Sequence, residues 1–136
     1  MTYRFTARAA TGDEEFDEDY RQAGVAEFED GSGFILLFMS GIEEADEQDV
    51  DLAQDTHCLV TANQGTAYGC VREVAVRDGR LRVVLDPAAL DDLGLEDPVI
   101  EAVLDAPETD VNRMCDVLRR ILTYGRADAR PALVDL

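Results

Sequence analysis

The chain has no lysine and no tryptophan, and only one histidine and four prolines among its 136 residues. All twelve of its positive charges are therefore arginine. They face thirty carboxylates, for a formal charge of -18. An acid excess of that size makes direct binding to nucleic acid or to an anionic membrane unfavourable, and it points to a basic complement. Missing lysine in an alanine- and aspartate-rich chain suits a GC-rich genome better than a functional demand, and a salt-adapted host would give a similar acid excess. The charge thus has two readings, background solubility and an interaction device. Without lysine there is no amine to grip phosphate, and Gly31-Ser32-Gly33 precedes a strand pattern instead of opening a helix, so no nucleotide site is implied. A Gly-x-Ser-x-Gly elbow is also absent. No apolar run approaches the roughly 18 residues that span a bilayer, and the opening Met1-Thr2-Tyr3-Arg4-Phe5 lacks a signal-type apolar core. Cys58, Cys70 and Cys115 form an odd set without paired spacing, which argues against a disulfide framework and fits a reducing compartment. A cytoplasmic location is expected.

The apolar share, 46%, is enough to support a packed core. The length predicts one domain over residues 1–136, with 126–136 as an irregular tail. Tyr3, Phe5 and Ala7 alternate with Arg4, Thr6 and Arg8, the period of a strand with one buried face. Asp13 to Asp19 holds six carboxylates around Phe16 and reads as a solvated loop. Strands are predicted from Gln22 to Phe28 and Gly33 to Ser40. The second is apolar on both faces from Phe34 to Met39, as a central strand covered on each side would be. The acidic stretch from Ile42 to Asp55, interrupted by Val50 and Leu52 as anchors, reads as a loop with room for one short turn or strand. A strand is then expected over Thr56 to Ala62, a turn at Asn63-Gln64-Gly65 and a long partner strand over Thr66 to Val76.

Asp78-Gly79 is a two-residue hairpin turn and sets a register with Arg77 opposite Arg80, Val76 opposite Leu81 and Val74 opposite Val83. Asp86, Pro87 and Gly94 bracket a short helix, and Pro98 to Leu104 reads as one more strand. Val111, Met114, Cys115, Leu118, Ile121 and Leu122 recur at helical spacing, between acids at one end and Arg119-Arg120 at the other, with Gly125 as the stop. The architecture expected is an α+β domain: a mainly antiparallel sheet of about six or seven strands, one short helix and a long C-terminal amphipathic helix of about four turns.

His57 beside Cys58 invites a nucleophilic pair or a metal site, but adjacent strand residues point to opposite faces. Partnership with Cys70 or Cys115 has no support in spacing, and a small buried hydrophobe is the plainer reading of each cysteine. Asp46, Asp49 and Asp51 lack the glycine and terminal glutamate of a calcium-binding hand. Carboxylates are too abundant here for any pair of them to signify catalysis. Neither an enzyme nor a cofactor is expected.

The chain resembles the immunity protein 10 family of bacterial polymorphic-toxin systems. The likeness rests on the opening Thr2-Tyr3-Arg4-Phe5-Thr6-Ala7-Arg8, on Gln48-Asp49-Val50 leading to Asp55-Thr56, and on Cys58-Leu59-Val60 followed by Tyr68-Gly69. It continues through Val74 to Leu85, Ala88-Ala89 and Leu93-Gly94-Leu95. Cys70 stands where a second glycine is expected, and the tail after Tyr124 is this chain's own. The resemblance implies a protein that binds a cognate toxin and covers its active surface, with no catalytic motif. A basic nuclease is the toxin that the acidity would suit, since acidic loops would steer the encounter and occupy a phosphate groove. Two candidate surfaces follow: Asp13, Glu14, Glu15, Asp17, Glu18 and Asp19 with Phe16 and Tyr20 as aromatic anchors, and Glu43, Glu44, Asp46, Glu47 and Asp49. Two alternatives stand beside this reading. One is an acidic self-associating homodimer, and the other a small-ligand protein or unfamiliar enzyme using His57, Cys58 or Cys70.

Overall fold

The structure, a computed structural model, describes residues 2–42, 56–62, 65–125 and 129–136. The acidic stretch at 43–55, the turn residues Asn63 and Gln64, and 126–128 lie outside the described residues, so the expectations made for them are not addressed by it. Ten strands are described: β1 (Thr2–Ala7), β2 (Ala9–Glu15), β3 (Tyr20–Ala26), β4 (Ile35–Ser40), β5 (Cys58–Thr61), β6 (Thr66–Tyr68), β7 (Val71–Arg77), β8 (Arg80–Leu85), β9 (Val99–Leu104) and β10 (Leu133–Asp135). A 3-10 turn at Pro87–Ala89 leads into α1 (Leu90–Leu93), and α2 spans Glu108–Leu122.

These strands form two five-stranded sheets, and this corrects the expected single sheet of fewer strands. The first sheet runs β1-β9-β8-β7-β10, with parallel pairs at its two edges, and the second, β2-β3-β4-β5-β6, is antiparallel throughout. The chain changes sheets at two places that a propensity reading joins into continuous strands. One is Arg8, between β1 and β2. The other is Gly69-Cys70, which splits the expected long strand from Thr66 into β6 and β7. Gly69 adopts φ 64°, and its N–H donates to the His57 carbonyl at 2.9 Å, so the break is a hydrogen-bonded corner. The tail is corrected as well: Leu133–Asp135 is a strand because it pairs in parallel with Glu73–Ala75.

Local chemistry was read correctly wherever it was self-contained. Asp78 and Gly79 carry the positive φ angles of the hairpin turn, and Val74, Val76 and Arg77 meet Val83, Leu81 and Arg80 as their alternation requires. Asp86 accepts from the Ala88 N–H at 3.0 Å as N-cap, Pro87 follows it, and Gly94 ends α1 in the left-handed conformation.

The core is one contiguous cluster drawn from both sheets and from α2. Leu36 and Phe38 on β4 are fully buried, as are Met114, Val117, Leu118, Ile121 and Leu122 on α2. At one end Phe34 joins the sheets, with its ring 4.8 Å from Phe5 and 4.6 Å from Tyr3. The helix rests on β2 and β3, where Gly12 permits a close approach: a Cβ there would lie 2.6 Å from the Arg113 carbonyl oxygen. Arg113 in turn donates from Nε to the Gly12 carbonyl at 3.0 Å.

His57 holds the sheets together at the second corner. It is completely buried just ahead of β5, and its Nε2 accepts the Val71 N–H of β7 at 3.2 Å. A neutral ring accepting at Nε2 carries its proton on Nδ1, which has no partner among the described residues. Burial, aided by the Arg72 charge, pulls its pKa down to about 4.

Two predictions follow from this packing. Gly12→Ala should lower stability by about 1–3 kcal/mol in urea denaturation, because backbone must move to admit the methyl group; an unchanged midpoint would mean that α2 does not rest on this strand. For His57, the unfolded chain binds the extra proton between pH 6.5 and about 4 while the folded chain does not. Its contribution is therefore complete above pH 6.5 and is lost as pH falls toward 4, a difference of roughly 3 kcal/mol at full extent. Denaturation curves of the parent and His57→Gln, compared across that range, should converge as the pH drops; parallel curves would show that His57 does not titrate as its burial requires.

Candidate functional site

The densest acidic segment is part of the second sheet. Asp13, Glu14 and Glu15 close β2, opposite Gln22, Arg21 and Tyr20 of β3, so the expectation of a solvated loop over Asp13 to Asp19 is corrected for its first half. The reason is alternation. Ala10, Gly12 and Glu14 face inward under α2, and the inward carboxylate is neutralised where it lands. Glu14 accepts from Arg21 Nε at 2.7 Å and pairs through its other oxygen with Arg120, while its side chain is only 10% exposed. The Arg21 hydrogen bond, with help from the Arg120 charge, holds its pKa below the ordinary carboxylate value.

Asp13 and Glu15 point the other way. Burial, then the negative charges of Glu15, Glu18 and Asp13, raise the pKa of the Tyr20 phenol, and the strand register sets Tyr20 opposite Glu15. Phe16, at the tip, is 70% exposed and has the greatest exposure of the large apolar side chains described. Asp19 takes a left-handed φ of 56°, and its Oδ1 accepts the Ile42 N–H at 2.9 Å. The structure thus gathers Asp13, Glu15, Phe16, Glu18 and Tyr20 at one end of the sheet and assigns Glu14 to an internal ion pair. Asp17 lies in the same turn. The second candidate group, Glu43, Glu44, Asp46, Glu47 and Asp49, lies outside the described residues; Ile42, which precedes it, is tied to that turn.

A third group was not singled out from the sequence. The loop between β3 and β4 carries Phe28, 44% exposed, beside Glu27, Glu29 and Asp30, with the Arg8 guanidinium 5.6 Å from the Phe28 ring centroid. Its order, Glu27-Phe28-Glu29, repeats that of Glu15-Phe16-Asp17. That repetition was the available signal.

Arginine is distributed unevenly. Arg4, Arg77, Arg80 and Arg82 share the outer face of the first sheet, where Arg4 pairs with Glu101 at 3.1 Å and Arg77 with Asp135 at 2.5 Å. In the five strands of the second sheet the one arginine, Arg21, faces inward to Glu14.

The other candidate chemistry lies in the interior. Cys58 and Cys70 are buried, and desolvation pushes their thiols up to about 11 and about 12. Burial raises Cys115 too. All three are protonated at neutral pH, which makes them poor nucleophiles. Among the described residues no three histidine, cysteine or carboxylate side chains converge as a metal-binding set. No described helix is long and apolar enough to cross a membrane.

No curated protein and no solved structure matches the chain. A family model described as immunity protein 10, Imm10, matches residues 6–112, which include both sheet-changing corners, the acidic hairpin and the first part of α2. A match over that much of its length makes the chain a member of the Imm10 immunity-protein family, a non-catalytic class of bacterial toxin-neutralising proteins.

Proposed function

We propose that this protein neutralises a cognate toxin by direct protein–protein contact, using the acidic and aromatic end of its second sheet. Membership of the Imm10 family is the observation that carries this reading. The chemistry of the surface supports it. Asp13, Glu15 and Glu18 share the hairpin end with Tyr20 and an exposed Phe16, and aromatic anchors set among charges of one sign suit tight recognition of a basic partner. A basic nuclease is the toxin class that such a surface complements, because the carboxylates would compete for the groove that binds phosphate. The interface needs no cofactor. Asp17 and Asp19 lie in the same turn; the Glu43, Glu44, Asp46, Glu47 and Asp49 group, outside the described residues, remains part of the proposed interface by sequence alone.

The test is co-expression with the product of the neighbouring gene, scoring both recovery on affinity resin and rescue of growth. Stable association with rescue is the expected outcome, and Phe16→Ala should weaken binding by about tenfold or more. A toxic neighbour that is neither bound nor suppressed would remove the immunity reading for that pair.

A further inference from the structure

The outer face of the second sheet holds a groove next to the acidic turn. Cross-strand register lays out its side chains in rows: Ala9, Ala26 and Ile35; then Thr11, Gly24, Leu37 and Val60; then Asp13, Gln22, Met39 and Cys58. In the first two rows the residues on β2 and β3 are small and those on β4 are large. The sheet is therefore hollow along Ala9, Gly24 and Ala26 and walled by Ile35 and Leu37, an open groove of about 290 Å³. Strand pairing enforces the hollow, since a Cβ on Gly24 would lie 2.1 Å from the Leu36 carbonyl oxygen. Leu36 and Phe38 are sealed on the inner face, whereas Ile35, Leu37 and Met39 keep part of their surface exposed. As expected, β4 is a central strand, between β3 and β5, and its outward residues are half-buried.

The charge at the two ends of the groove is negative. Glu29 and Asp30 line one end, and Asp13 and Glu15 continue the same face toward the other. These strands carry no outward arginine; Arg8, at the corner before β2, lies over Phe28 and donates to the Glu27 carbonyl, beside the Glu29 end. An apolar slot between two acidic ends complements a large apolar side chain carried between basic residues. A second copy meeting this face with the same face would set its own Glu29, Asp30, Asp13 and Glu15 against these carboxylates. We infer that this groove is the docking site for the partner protein, and that it receives a bulky apolar or aromatic side chain flanked by arginine or lysine. The inference rests on the immunity reading above and gives the partner's contact its chemistry.

The experiment uses the purified full chain and the purified product of the neighbouring gene, with binding followed by calorimetry and stopped flow. Thr11 is exposed and pairs with Gly24, so Thr11→Trp lays an indole across the slot without touching the core. It should weaken binding about tenfold or more while leaving the thermal midpoint in place. Asp13→Lys with Glu15→Lys should slow association about tenfold at low salt and flatten its salt dependence. Glu96→Lys, exposed beyond α1, should change affinity by less than about twofold. Amide exchange of the unmodified complex reads the same surface with no substitution: Ala9–Glu15 and the loop at 28–33 should slow on binding, while Arg80–Leu85 should not. Tight binding that Thr11→Trp leaves unchanged, or exchange slowed only elsewhere, overturns the groove and leaves the immunity reading standing. A dimer that Thr11→Trp dissociates gives the face to a second copy and overturns the assignment to a partner. If the unmodified chain neither binds nor rescues, the immunity reading falls and the groove falls with it.

Discussion

The apolar stripe of α2 lies directly on β2, with no side chain between the helix backbone and the strand at Gly12. That contact sets which face of the second sheet is inside. Once Gly12 is inward, strand alternation places Ala10 and Glu14 inward with it and sends Thr11, Asp13 and Glu15 outward. Because β3, β4 and β5 are in register with β2, the same choice passes across the sheet and decides that Leu36 and Phe38 form core while Ile35 and Leu37 form surface. Glu14 is the cost of this arrangement. Its carboxylate enters the protein and is balanced by Arg21 from the neighbouring strand and Arg120 from the last turn of the helix.

The same geometry divides the charge. Arginines on the outer face of the first sheet sit among cross-strand carboxylates, so that surface is mixed and locally compensated. On the second sheet the one arginine is consumed internally, and the outward acids keep their field. A net charge of -18 says that the molecule is acidic; the fold determines that the outward acids Asp13 and Glu15 stand near exposed Phe16 with no arginine of their strands beside them. This difference separates a solubility device from a recognition surface in physical terms, because association is steered by local potential and not by total charge.

Signals confined to a few neighbouring residues were legible in the sequence. The Asp78-Gly79 hairpin and its register, the Asp86-Pro87 cap, the Gly94 stop and the face of α2 all follow from backbone preference and short-range periodicity. Long-range pairing was not legible in the same way. Arg8 and Gly69-Cys70 look like strand interior because propensity registers extended backbone and is blind to which sheet that backbone joins. Asp13 to Glu15 looked like loop because six carboxylates repel in isolation, and only the partners brought by β3 and α2 make a strand acceptable there. Leu133–Asp135 has no strand signal of its own beyond three residues and exists through its pairing with β7.

The candidate site divides along the same line. Sequence alone determined that the protein is acidic, that it has no Gly-x-Ser-x-Gly elbow and no lysine of a phosphate-gripping loop, and that Phe16 and Tyr20 stand among carboxylates, because these are properties of residue identity and near neighbours. Tertiary structure decided which carboxylates are available. It turned Glu14 inward, brought Asp13, Glu15 and Glu18 to the same hairpin end as Tyr20, and buried His57 and the cysteines. It also formed the groove over Gly24 from residues that lie far apart along the chain. The reason is parity and pairing: a strand's sequence says that alternate residues part company, and only the elements packed against it decide which set meets water.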